Sequence, residues 1–427
     1  MQKEYAVQMA SSNLRFGPGV TKEVGMDLAD MGLKRILVFT DAYLLNLPPV
    51  QTALESLRVE GIEFDVFDRV RVEPTDISMK EAIAVAQVGN YDGYVAIGGG
   101  STIDTAKAAN LYATYPDDFY VYINAPIGQG KPVPGPVKPL IAIPTTAGTG
   151  SETTGVAIMD LTERKAKSGI AHRYLKPTLG LVDPENTRTM PSVIAASSGL
   201  DVLCHALESY TALPFYERPW PERPIYRPAY QGNNPISDMW ALKAVELTAK
   251  YIVRAFKDPN DDEARSNMIL ASSMAGMGFG NAGVHLCHGM SYPVSGMVKT
   301  YCPAGLGLDY PIVPHGMSVI LNAPAVFRFT GPACPERHLR VAALMGAEIS
   351  KVKDPVSEAG HILADQIVAL MKELDIPNGL TAIGYTEKHI PALVEGTLPQ
   401  HRVTKLSPRP ADAEDLSKMF KDAMRAW

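Results

Sequence analysis

IGGGSTIDTAK, residues 97–107, follows an apolar run that reads as a strand and opens a run that reads as a helix. Small residues at such a turn let the backbone come close to a ligand. The first amides of a helix have no partner inside it, so the turn has the form of an anion site. It is not a GxGxxG turn, and a tight turn with no ligand is the competing reading. Outward from it, short apolar runs at 35–39 (RILVF), 63–67 (EFDVF), 93–97 and 140–143 (LIAI) alternate with helical patterns near 49–59, 77–89 and 102–114. That alternation is how a parallel sheet with crossover helices reads. From about residue 191 apolar-periodic stretches take over, at 192–212, 235–257, 261–292, 336–348, 356–374 and 411–426. The expected architecture is an α/β domain with a mostly parallel sheet (1–190), followed by an all-α domain (191–427).

At 427 residues the chain exceeds what one hydrophobic core usually serves. It is 46% hydrophobic and 20% charged, an ordinary globular composition. The net charge of -6 and the lack of a Lys/Arg block exclude a nucleic-acid or anionic-membrane footprint and leave small molecules as partners. No seven-residue apolar core follows the N-terminus and no run of eighteen apolar residues occurs, so a cytoplasmic protein with no membrane partner is expected; a homo-oligomer is expected as well. Four cysteines with no CxxC do not form a disulfide framework. One stretch, PFYERPWPERPIYRPAYQGNNP (214–235), is too rich in proline for a regular helix or central strand; it is a surface loop, or a lid or subunit contact.

Two further loops follow strands. Asp41 in FTDAY (39–43) stands where a carboxylate can accept from ribose hydroxyls, with a turn or N-cap role as the alternative. PTTAGTGSETT (144–154) offers hydroxyls and amides to a phosphate or ribose, or is a plain polar turn. Three loops at strand C-terminal ends converge on one crevice in an open α/β sheet, and together they favour a dinucleotide.

Metal-binding residue types gather in the second half. In SGLDVLCHALESY (198–210), Asp201 and His205 are spaced i, i+4 and so stack on one helix face, where a surface hydrogen bond is the plainer use. GVHLCHGM (283–290) adds His285 and His288, and VPHGMS (313–318) adds His315. One carboxylate and three imidazoles suit Fe(II) or Zn(II) with a position left for substrate. Cys204 and Cys287 each precede a histidine, but adjacent helix residues point about 100° apart, so neither thiol shares its neighbour's face easily. His285 and His288 both remain candidate ligands on the spacing alone, with Cys287 expected to be a buried thiol.

IGGGSTIDTAK, IPTTAGTGSE, DPENTRTMP, GLDVLCHALESY, GFGNAGVHLCHGM and VPHGMS, in this order over roughly residues 12–330, resemble the iron-containing (group III) alcohol dehydrogenase family. RPAYQGNNPISD (227–238), HLCHGMSYPVSG (285–296) and GTLPQHRVTKLSPRP (396–410) narrow the likeness to its hydroxyacid-oxoacid transhydrogenase branch. The resemblance implies metal ligands at Asp201, His205, His288 and His315. It implies cofactor contacts at Asp41, Gly98, Gly99, Gly100, Ser101, Asp104, Thr145, Thr146, Thr149 and a lysine near Lys165 or Lys167. Where the family carries a second histidine near the nicotinamide, this chain has Tyr292, so a phenol would have to serve any proton relay. An acid at 41 implies NAD rather than NADP.

The expected chemistry is hydride transfer assisted by Fe(II), or Zn, through NAD. The transhydrogenase branch implies a hydroxyacid such as 4-hydroxybutyrate as donor and an oxoacid such as 2-oxoglutarate as acceptor. The alternative is an ordinary NAD-dependent dehydrogenase of a primary alcohol or 4-hydroxybutyrate. A lyase or cyclase of the dehydroquinate synthase kind would need a basic cluster at the metal that the sequence lacks. A non-catalytic binding module would not need four ligand residues on separate segments. Arg223 and Arg227 in the proline-rich loop are the expected carboxylate binders, against solvent-facing loop charges.

Overall fold

The computed structural model describes every residue except Met1, Lys165 and Gly307. The chain divides into two compact units, one of 10–190 with 259–276, the other of 1–9, 191–258 and 277–427. Against a single division after residue 190, the first nine residues and the 259–276 segment therefore group with the opposite unit.

The first unit is built on β1 (Asn13–Phe16), β2 (Arg35–Phe39), β3 (Glu63–Phe67), β4 (Gly93–Gly98), β5 (Leu140–Pro144) and β8 (Leu179–Val182). They form one sheet in the order β1-β8-β5-β4-β2-β3, and every pairing is parallel. Alternate residues serve opposite faces: Leu37, Phe39, Tyr94, Ala96 and Ala142 pack with the Asp76–Val88 and Gly100–Thr114 helices. Ile36, Val38, Val95, Ile97 and Ile143 pack with Pro48–Val59. Burial on both faces is why these strands read as near-continuous apolar runs. β6 (Val156–Leu161) and β7 (Ala166–Ala171) form a separate antiparallel hairpin. The chain runs from β2 outward to β3, then crosses back to place β4 on the other side of β2. That reversal puts the topological switch point at the C-terminal ends of β2 and β4, where an open sheet leaves a crevice.

The second unit is helical. Its central helix, Ser192–Thr211, is buried along nearly its whole length and packs on Pro235–Lys257 and His315–Ile320. The continuous helix expected over 261–292 is two, Asp262–Ala282 and Leu286–Gly296. The break is at Gly283, whose φ of 95° suits glycine and whose Cβ would meet Leu406 Cδ1 at 2.4 Å. The 214–235 loop carries only two short 3-10 turns, and Glu4 and Lys3 tie it down through Arg227 and Glu217. No helix among the described residues is long and apolar enough to cross a membrane.

Candidate active site

β4 ends in Gly98, and Gly99 caps the Gly100–Thr114 helix with no side-chain hydrogen bond to its first amides. A Cβ on Gly98 would lie 2.3 Å from Thr102 Oγ1, and one on Gly100 would lie 2.4 Å from Thr149 Cγ2. Thr146 stands 3.3 Å from the corresponding position on Gly99. The turn must therefore be glycine, and it joins the 144–154 loop at Thr146 and Thr149, while the Thr145 amide donates to Gly98 O at 3.0 Å. Open amides at a helix start, walled by hydroxyls, are able to hold a phosphate.

Other expected cofactor residues are placed differently. Asp104 is engaged inside the protein: Ser151 Oγ and the Ile158 amide donate to its carboxylate at 2.5 and 2.9 Å, and Lys107 Nζ lies 3.6 Å away. These contacts tie the 151–158 segment to the helix. Ser101 Oγ accepts from the Glu73 amide at 3.2 Å. Asp41 follows β2 at the switch point, and its Oδ1 accepts from the Leu44 amide at 2.9 Å, the turn role held as the alternative. Burial raises its pKa. Lys167 is buried on β7 between Glu73 (2.6 Å) and Asp160 (3.2 Å), while Lys165 lies outside the described residues.

In the helical unit, Asp201 and His205 project from the central helix, His288 from Leu286–Gly296 and His315 from the first position of His315–Ile320. His288 Nε2 and His315 Nε2 stand 3.5 and 4.0 Å from Asp201 Oδ1, and His205 Nδ1 stands 3.8 Å from Oδ2. Donor atoms of Asp201, His288 and His315 all lie within 4.8 Å of one another, a span one ion can bridge. The His205 ring is stacked between Phe279 and His288, with centroids 3.9 and 4.5 Å away. Asp201 Oδ1, His205 Nδ1 and His288 Nε2 are buried without a hydrogen-bond partner. Leaving buried polar atoms unsatisfied costs about 1–3 kcal/mol each; a cation among Asp201, His288 and His315 would satisfy Asp201 Oδ1 and His288 Nε2, and His205 stands outside that group of three. Burial alone would raise the Asp201 pKa, but the imidazoles of His205, His315 and His288 outweigh it and keep the carboxylate ionised. Burial lowers that of His205 to about 3, leaving a neutral imidazole able to ligate. The donor set fits a divalent cation of the iron or zinc type.

Glu208 was not singled out in the sequence, although it stands three residues after His205 and seven after Asp201 on the same helix face. Its Oε1 accepts from the amides of His285 (2.9 Å), Cys287 (2.8 Å) and His288 (3.4 Å), and its Oε2 meets His288 Nδ1. One buried carboxylate thus seats the start of the helix and orients the imidazole so that Nε2 faces Asp201. His285 caps that helix, its Nδ1 accepting from the Leu286 amide at 2.8 Å and its Nε2 lying 3.0 Å from Thr211 Oγ1. Cys287 is buried, and burial raises its pKa. Tyr292, one helical turn beyond His288, accepts from Arg402 Nη2 at 2.8 Å. The two expected carboxylate binders are placed differently. Arg227 is held by Glu4 through Nε and Nη2 at 3.0 and 2.9 Å, and Arg223 lies exposed at the start of a 3-10 turn.

Two family models match the chain: "Iron-containing alcohol dehydrogenase" over residues 11–184 and "Fe-containing alcohol dehydrogenase family, C-terminal" over residues 229–424. The chain belongs to the iron-containing alcohol dehydrogenase family. It is accordingly an enzyme, an iron-type, NAD(H)-linked oxidoreductase acting on small molecules. The mitochondrial hydroxyacid-oxoacid transhydrogenase of Bos taurus is 60% identical over 99% of this chain and 91% of its own length. The Homo sapiens protein of that name is 58% identical over the same shares. Among solved structures, a 1,3-propanediol oxidoreductase matches with a TM-score of 0.85 and 28% identity, covering 98% of this chain and 100% of that one. A sulfoacetaldehyde reductase from Bifidobacterium kashiwanohense in complex with NAD+ matches at 0.78 and 27%, covering 99% of each. The relatives' mitochondrial names overturn the expected cytoplasmic location. An apolar core marks secretory segments, whereas mitochondrial addresses are basic and amphipathic, so the lack of such a core does not bear on a mitochondrial location.

Proposed function

We propose that this chain is a mitochondrial hydroxyacid-oxoacid transhydrogenase. It passes a hydride from a hydroxyacid such as 4-hydroxybutyrate to NAD, and from the reduced nicotinamide to an oxoacid such as 2-oxoglutarate. The products are succinate semialdehyde and 2-hydroxyglutarate, so the two half-reactions balance with no net change in cofactor. The observation that carries the reading is 60% identity to a transhydrogenase across nearly the whole chain.

Asp201, His205, His288 and His315 are the proposed ligands of the metal, Fe(II) in first place and Zn(II) in second. When bound, the cation supplies Lewis acidity toward the substrate oxygen and the nicotinamide supplies the hydride carrier. Glu208 holds the His288 ring in its ligating orientation. The glycine turn at Gly98–Gly100 with Thr145, Thr146 and Thr149 is proposed to receive the pyrophosphate, and Asp41 the adenosine ribose. Tyr292 Oη accepts from Arg402, which leaves its own hydrogen to donate toward a substrate oxygen.

Anaerobic protein loaded with Fe(II) and given 4-hydroxybutyrate and 2-oxoglutarate, with no NAD added, tests the reading. Sustained formation of 2-hydroxyglutarate supports retained, recycled cofactor. A strict requirement for free NAD makes the enzyme an ordinary dehydrogenase, and no turnover with any metal sinks both.

A further inference from the structure

Arg402 is a half-buried arginine whose guanidinium carries one buried, unfilled nitrogen. Its Nη2 donates to Tyr292 Oη at 2.8 Å, and its Cζ lies 5.0 Å from the centroid of the Tyr230 ring. Its Nη1 is buried with no hydrogen-bond partner. Burial works to discharge the group, yet its pKa is raised, by Tyr292 and Tyr230 alone. Among the described residues no carboxylate forms an ion pair with it. A buried guanidinium without a counter-ion is costly, and such charges are normally paired. Arg227 shows the ordinary case, with Glu4 filling its fork.

The position of this charge is fixed from two sides. Tyr292 is four residues after His288, so both lie on one face of the Leu286–Gly296 helix. A Cβ on Gly289 of that helix would meet Thr404 Cγ2 at 2.8 Å and Val403 Cγ2 at 3.5 Å, which shows how tightly the 401–404 turn is packed against it. From the other side, Tyr230 packs edge-on to Phe279 at 6.4 Å, and Phe279 stacks on His205 at 3.9 Å. Tyr230, Tyr292 and Arg402 come from 227–238, 285–296 and 396–410, the three separate segments that carried the narrower sequence likeness.

We propose that Arg402, held by Tyr292 and Tyr230, receives the remote carboxylate of the substrate beside the Asp201–His288 cluster. The inference rests on the functional reading above and gives it a substrate rule. In 4-hydroxybutyrate the carboxylate carbon is three bonds from the carbon that loses hydride. In 2-oxoglutarate the distal carboxylate carbon is three bonds from the carbon that gains it. One arginine at a fixed distance from the reacting centre therefore serves donor and acceptor in turn, and a carboxylate accepting from guanidinium satisfies Nη1 with a charge-assisted bond.

The test is kcat/KM for 4-hydroxybutyrate divided by that for 1-butanol, in the wild type, Arg402→Met and Arg402→Lys. Binding of glutarate, a dicarboxylate with no oxidisable group, is measured by calorimetry on the same proteins. The expected result is a fall of about 10- to 100-fold in the acid-to-alcohol ratio for Arg402→Met, the size of a lost hydrogen bond to a charged group. A smaller fall is expected for Arg402→Lys, with glutarate binding weakened in step. Should the methionine variant not fold, the lysine variant decides, because it keeps the charge and loses the fork. An unchanged ratio and unchanged glutarate binding overturn the proposal, as does an equal loss on acid and alcohol, the mark of a merely structural arginine. Wild-type transhydrogenation with an unchanged ratio in the variants rejects the role of Arg402 and leaves the function standing. Arg402-dependent glutarate binding without transhydrogenation does the reverse.

Discussion

At the end of β4 the groups that can meet a ligand are backbone amides, placed by glycines that Thr102, Thr146 and Thr149 leave no room to replace. Around Asp201 they are side-chain atoms from three helices, of which Asp201 Oδ1, His205 Nδ1 and His288 Nε2 are buried with no hydrogen-bond partner. The first region is largely complete by itself: Asp104, Asp41, Ser101 and Lys167 all have partners within the protein. The second is complete only with something added. A nucleotide loop can be preformed because amides facing water are satisfied by it, whereas buried imidazole and carboxylate atoms have no such substitute. Ligand dependence should therefore concentrate in the helical unit.

The largest break of that contrast is Asp201→Ala, which removes the carboxylate oxygen that faces Nε2 of both His288 and His315. Hydride transfer is expected to fall at least about 10³-fold, since a cation contributes several kcal/mol to such a step. Bound metal after dialysis should fall with it. Full metal content and activity in this variant would remove the cluster from the chemistry. Next in size, Glu208→Gln keeps the shape but weakens the hold on His288, and metal affinity should drop about 10- to 100-fold, read by competition with a chelator. A change below about threefold would make the contact structural only. The smallest effect belongs to the other region. Asp41→Gly should narrow the preference for NAD over NADP, with loss of the Leu44 contact costing about 1 kcal/mol in a thermal melt. Unchanged discrimination would leave Asp41 as a turn residue and nothing more.

Much of this was legible in the chain itself. RILVF and LIAI are strands covered on both sheet faces, and their apolar runs carry that directly, while EFDVF alternates as a half-exposed edge strand. β7 escaped notice because AKSGIA places Lys167 inside a strand, and only the tertiary pairing with Glu73 and Asp160 makes a lysine acceptable there. The 261–292 run hid its break because Gly283 interrupts an apolar pattern without a polar signal. Glu208 was legible, sharing the Asp201 face at helical spacing. Arg402 was not: its meaning depends on Tyr230 and Tyr292, which no local period connects to it. The arginines in the proline-rich loop drew attention by crowding, and Glu4, more than 200 residues away in sequence, shows why crowding misleads.

The Glu208 carboxylate touches the proposed ligand His288 on one oxygen and three backbone amides on the other. Whatever pulls on the ring is thus transmitted to the first turn of the Leu286–Gly296 helix, and the reverse holds by thermodynamic reciprocity. Local opening of that turn and release of the metal become a single event. The amide protons of His285 and Cys287 should accordingly exchange with solvent at rates set by metal occupancy, giving a backbone gauge of loading that requires no turnover at all.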